Sequence, residues 1–147
     1  TTNSTELTIK QVTNAAGKVK RYYDNHGVLP DYVIIDDTKY SMSEFLYLAS
    51  QASDQIISGS TSTITTVTSE LPSQPNATYD YTSGNISKSD YKVMAKKIVI
   101  FIEKYGRAPN YVACSLGQIS YTKLIDMFAR ILNFYNIYGR LPNYVSV

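Results

Sequence analysis

Three stretches of this chain place apolar residues on one face of a helix. Counted from the first apolar position inside each, the stripe falls at offsets 0, 3 and 4, 7, 10 and 11, and 14, a helical period and not the alternation of a strand. The stretches align column by column: Val12 with Tyr91 and Leu124, Val19 with Ile98 and Ile131, Tyr22 with Phe101 and Phe134, His26 with Tyr105 and Tyr138. By position, Tyr22, Phe101 and Phe134 belong to the core, and the His26, Tyr105 and Tyr138 column packs helix ends.

The helix ends are written in the sequence as well. Thr8, Ser87 and Ser120 are side chains that can cap the first turn, with Leu7, Ile86 and Ile119 before them in the staple position. Each stripe stops at a glycine suited to a left-handed C-cap, and a proline three residues later forbids a return to helix. The three exits share one frame: Gly27-Val28-Leu29-Pro30-Asp31-Tyr32-Val33, Gly106-Arg107-Ala108-Pro109-Asn110-Tyr111-Val112 and Gly139-Arg140-Leu141-Pro142-Asn143-Tyr144-Val145. Short β-like runs such as Tyr32-Val33-Ile34-Ile35 follow, with Asp36-Asp37 in a tight turn.

The last two glycines lie 33 residues apart, and the same step from Thr8 reaches Ser41. Ser41-Met42-Ser43-Glu44 is a capping box, and Phe45, Leu48, Ala49, Ala52 and Ile56 continue a fourth stripe. Its glycine-proline exit is missing. The chain runs instead through a Ser/Thr-rich segment without Lys or Arg, in which Thr63–Thr68 can pair as a strand if an edge is available and Leu71-Pro72 is a candidate remnant of the lost loop. The expected fold class is therefore mainly α: four helices in helix-loop repeats of about 33 residues, with short β-like segments after the loops. Residues 7–57 form the first repeat plus the helix of the second, 58–85 an insertion or linker, and 86–147 the third and fourth repeats, the last one truncated, which suggests a module cut from a longer protein.

Charge sharpens this picture. Residues 1–87 carry five Lys/Arg against nine Asp/Glu, and residues 88–147 carry nine against three, so the second half can attract an acidic polymer. Lys88, Lys92, Lys96 and Lys104 read as a solvated face. Arg107 and Arg140 stand inside the repeated loops, where a guanidinium can fork a carboxylate. His26 is the single histidine and Cys114 the single cysteine, too few for a nucleophile-base pair or a zinc site. With no glycine-rich phosphate loop, the chain is expected to have no catalytic residues, no metal and no cofactor. No run is long enough to span a bilayer, the modest basic charge argues against nucleic acid, and sequons at Asn3, Asn76 and Asn85 lean toward export.

The capping Thr8, Ser87 and Ser120, the exits of the form Gly-x-Leu-Pro-Asn-Tyr-Val, and Ser41-Met42-Ser43-Glu44-Phe45-Leu46-Tyr47-Leu48 together resemble the pseudomurein-binding repeat. That family attaches surface proteins and wall-lytic endoisopeptidases to the pseudomurein wall of certain methanogenic archaea and their viruses. The resemblance implies a non-catalytic, extracellular wall-binding module. Its partner is a polymer of amino-sugar strands and short peptides, and any lytic or surface domain is a separate part of the full-length protein. Asp31, Tyr32, Arg107, Asn110, Tyr111, Arg140, Asn143 and Tyr144 are the candidate ligand-binding residues: Tyr covers a sugar face, Asn pairs an amide, and Arg pairs a carboxylate. Departures at Val28, Asp31 and Ala108, together with the missing fourth loop, point to a weaker first site. The alternative is a helical scaffold for protein contacts or self-association at the cell surface.

Overall fold

The computed structural model describes residues 6–60, 63–67, 69–75 and 77–147; Asn3, Asn76 and Thr68 of the expectations above lie outside them. The order is β1 (Glu6–Leu7), α1 (Ile9–His26), β2 (Tyr32–Ile35), β3 (Thr38–Ser41), α2 (Met42–Ser58), β4 (Ile64–Thr65), β5 (Asn85–Ser87), α3 (Lys88–Tyr105), β6 (Tyr111–Cys114), β7 (Gly117–Ser120), α4 (Tyr121–Tyr138) and β8 (Tyr144–Ser146). All four helices begin after the expected hydroxyl residue, and Thr8, Ser41 and Ser87 accept from the backbone N–H of Gln11, Glu44 and Asp90. Ser120 makes no such bond. Each helix ends at a left-handed glycine, Gly27, Gly59, Gly106 or Gly139.

The mainly α expectation is overturned. Of the described residues, 51% are helical and 21% are strand, so the fold is mixed α/β, with four helices tied at both ends by two-stranded antiparallel sheets. Hairpins β2–β3 and β6–β7 join α1 to α2 and α3 to α4. The outer strands then close each half: β1 pairs with β4 and β5 pairs with β8. Register is common to three of these pairs, with Tyr32 opposite Ser41, Tyr111 opposite Ser120 and Tyr144 opposite Ser87. Each pair is only two to four residues long, too short for a period of two to register beside helices of 17 and 18 residues.

The same register locates the fourth exit. Ile64 lies opposite Leu7, as Val33, Val112 and Val145 lie opposite Tyr40, Ile119 and Ile86. Thr63–Thr65 is thus the degenerate counterpart of the Tyr-Val strand, reached from Gly59 without Pro, Asn or Tyr. Leu71-Pro72 is not its remnant: Leu71 is exposed and lies beyond that strand.

One core runs through both halves. It includes the staple residues Leu7, Ile86 and Ile119, the stripe residues Val12, Tyr91, Leu124, Val19, Ile98 and Ile131, and Phe45, Leu48 and Ala52 of α2. Helix α1 lies along α4, where Gly17 meets Asn133 and the Lys10 ammonium donates to the Asn136 side-chain oxygen at 3.2 Å. Helix α2 packs on both α3 and α4. The core assignment fails for one column: Tyr22 is 41% exposed, and Phe101 and Phe134 are only half-buried.

Buried tyrosines tie helices to loops. The Tyr91 hydroxyl donates to the buried Pro142 carbonyl, Tyr121 and Ser43 hydroxyls meet at 2.8 Å, and Tyr47 donates to Glu103 at 2.9 Å. Tyr91→Phe should cost about 1–3 kcal/mol, because the carbonyl keeps its desolvation cost without its donor; a lower denaturant midpoint at unchanged slope checks this. Burial pushes Tyr91 up to about 12 and also raises Tyr40, Tyr47 and Tyr121. The folded state favours the neutral phenols, so their contribution is fully present below pH 10 and is lost as pH rises through the folded values. Stability should therefore fall between pH 10 and about 12, followed by far-ultraviolet circular dichroism, and less steeply in Tyr91→Phe.

Candidate functional site

The second and third exit loops are each held by the first residue of a neighbouring helix. The Asn110 carbonyl accepts from the Tyr121 N–H, and the Asn143 carbonyl accepts from the Lys88 N–H, both at 2.9 Å. With the loop fixed, the strand after it alternates. Val33, Val112 and Val145 turn inward, at 5–6% exposure, and the tyrosines before them turn outward, with Tyr32 at 46%, Tyr111 at 41% and Tyr144 at 58%. The loop tyrosines therefore keep an exposed face in all three repeats, while the proline and the residue before it are buried in the second and third loops and half-buried in the first.

The last turn of each of three helices presents a tilted aromatic pair. Tyr22 and His26 are 4.2 Å apart between ring centroids, Phe101 and Tyr105 are 4.6 Å apart, and Phe134 and Tyr138 are 4.5 Å apart. The loop arginines lie on these rings. Arg107 sits 5.8 Å from the Phe101 centroid and 5.4 Å from that of Tyr105, and Arg140 lies 5.1 Å from that of Phe134. A guanidinium stacked on a ring keeps its N–H edge for a planar anion. Neither arginine forms an ion pair among the described residues; the pairs there are Lys20–Asp24 and Arg130–Asp126. The i, i+4 spacing of these aromatics is visible in the sequence, where it reads as core and helix-end packing.

The three loops then diverge. In the first, the Lys39 ammonium lies 4.7 Å from the Tyr32 centroid. Asp31 lines an open cleft of about 630 Å³ with Leu29, Pro30, Tyr121, Leu71 and Pro75. In the last loop, Asn143 is exposed and its side chain has no hydrogen bond among the described residues. Tyr144 borders a hollow of about 160 Å³ with Phe134, Pro142 and Arg130. The structure thus brings Arg140, Phe134 and Tyr144 to one end of α4.

The middle loop is covered by the chain itself. The Glu70 backbone N–H donates to the Gly106 carbonyl at 3.0 Å, and the Glu70 carbonyl accepts from the Ala108 N–H at 2.9 Å. The Gln74 N–H donates to the Asn110 side-chain oxygen at 2.8 Å, and the Asn110 amide nitrogen donates to the Ser73 hydroxyl at 3.0 Å. Tyr79 lies against Tyr111, with centroids 4.8 Å apart. Further on, Thr82 donates to the Leu116 carbonyl at 2.6 Å and Gln118 to the Asp80 carbonyl at 3.0 Å. Sequence reasoning missed Ser73, Gln74 and Tyr79, since a Ser/Thr-rich stretch without a period gives no sign of what it lies on.

Among the described residues there is no group of three or more His, Cys, Asp and Glu able to hold a metal ion, and no helix long and apolar enough to cross a membrane. The family model of the pseudomurein-binding repeat matches twice, over residues 82–113 and 115–147. No curated protein matches the chain.

Proposed function

Because residues 82–147 are two pseudomurein-binding repeats, we propose that the chain is a module that fixes the protein carrying it to a pseudomurein cell wall, outside the cell. The family is a binding repeat, not a catalytic unit, so the module contributes attachment and no bond cleavage. The observation that carries the reading is the match of both repeats of the second half, whose loops hold Arg107, Asn110, Tyr111, Arg140, Asn143 and Tyr144. The first half supports it in shape, since it has the same strand, helix, hairpin, helix and strand order. Its loop contributes Asp31 and Tyr32.

The chemistry suits a sugar-peptide polymer. An exposed tyrosine ring covers the C–H face of a sugar, or a peptide plane, while its hydroxyl bonds the edge. An asparagine amide satisfies one donor and one acceptor at once, and a ring-stacked arginine meets a carboxylate. Weak contacts of this kind on an immobile polymer gain from linkage, by ~10²–10⁴-fold where the spacing fits.

Sedimentation tests this directly. The chain should pellet with purified insoluble pseudomurein and stay in the supernatant with bacterial murein. Equal recovery in both supernatants sinks the wall-anchor reading.

A further inference from the structure

Resting on that wall-binding reading, we infer that the last loop, Gly139–Tyr144, takes an extended acidic peptide strand of the wall polymer, in the manner in which Gly106–Tyr111 takes residues 70–79 of its own chain. The covered loop shows what this frame of backbone accepts. Glu70 forms a parallel bridge with Arg107, using the Gly106 carbonyl and the Ala108 N–H. Asn110 then reads a backbone N–H and a hydroxyl, and the tyrosine ring meets a flat group. This is strand addition with side-chain readout, in which main-chain bonds supply affinity and the amide supplies selectivity.

The last loop offers the same groups, without a backbone partner among the described residues. Gly139 spends its N–H on the Tyr135 carbonyl, as Gly106 does on that of Ile102. Among the described residues, the Gly139 carbonyl and the Leu141 N–H have no backbone partner. Asn143 stands where Asn110 stands, with its own carbonyl held in the same way. Openings flank the loop on both sides: a cleft of about 510 Å³ bordered by Gly139, Lys10, Tyr135 and Asn136, and the hollow beside Pro142 and Tyr144.

Charge selects the occupant. The internal segment from residue 70 to residue 81 carries Glu70 and Asp80 and no Lys or Arg. The open loop has Arg140, within a half-chain of nine cations against three anions, and the cleft beside it has Lys10 from the other half. An acidic stem peptide matches this better than a neutral glycan strand, which has no run of backbone amides to pair with the Gly139 carbonyl and the Leu141 N–H.

The probe is a synthetic peptide of residues 69–81, titrated into the isotope-labelled full chain. Amide shifts should appear and saturate at Gly139, Leu141, Asn143 and Tyr144 at ~millimolar peptide, the range in which an internal copy competes at its own loop. Asn143→Ala should weaken the titration at least ~10-fold, and the same peptide should lower retention on pseudomurein. No shifts at residues 139–144 overturns the inference. Shifts without any loss of retention overturn the wall peptide as occupant. A chain that never pellets with the wall, even without peptide, defeats the wall reading itself while the shifts still report on the loop.

Discussion

Gly117→Ala should peel residues 79–82 away from hairpin β6–β7 while leaving the four helices formed. Gly117 has φ of 126°, and a Cβ there would stand 2.7 Å from both the Asp80 carbonyl oxygen and the Tyr81 Cα. Neither is the end of a flexible side chain, so the strands must separate. The backbone conformation itself costs a residue with a Cβ about 1–3 kcal/mol. Losing the Thr82 to Leu116 and Gln118 to Asp80 bonds adds roughly 1 kcal/mol each, for a total near 3–5 kcal/mol. Hydrogen exchange checks it: protection at the Thr82 and Gln118 amides should collapse, with helical ellipticity unchanged. Unaltered protection at both amides refutes the strand crossing. Detachment also takes Tyr79 off Tyr111, so retention on pseudomurein should rise. Glu70→Pro separates that effect from distortion of the hairpin, since it removes the donor to the Gly106 carbonyl without touching β6 or β7.

What the sequence disclosed and what it hid divide along physical lines. Helix caps and stripes are local and repeated, so Thr8, Ser41, Ser87, Ser120 and the glycines Gly27, Gly106 and Gly139 could be placed from the chain alone, whereas Gly59, with no proline frame after it, could not. The β pairs could not, because β5 meets β8 and β1 meets β4 across a half-chain each, and a pairing of that range leaves only a two- or three-residue mark. The outward face of Tyr111 and Tyr144 was undecided from sequence. It follows from the strand once Val112 and Val145 are seen to point inward. Least legible was the cover over the middle loop: Asn110 and Asn143 share the frame Pro-Asn-Tyr-Val, and nothing in it shows that Ser73, Gln74 and Tyr79 lie on one of them and not on the other.

That distinction sets the second large effect. Tyr144→Ala should reduce retention on pseudomurein by roughly 10²-fold, and Tyr111→Ala should leave it nearly unchanged. A central aromatic contact removed from a binding surface costs about 2 kcal/mol, some 30-fold in affinity. Here the loss is compounded, because the remaining open loop has Asp31 in place of an amide and Tyr32 beneath Lys39, and a single weak site forfeits the gain of linkage. Tyr111, by contrast, already spends its ring on Tyr79, so its removal should loosen residues 70–79 in hydrogen exchange and do little at the wall. Tyr144→Phe tests the nature of the contact, since it keeps the stacking face and loses only the hydroxyl; a drop within several-fold of the parent assigns the binding to the ring. Equal losses for Tyr111→Ala and Tyr144→Ala, in folded proteins, would mean that residues 70–79 leave the middle loop when the wall binds, and that both repeats engage the polymer.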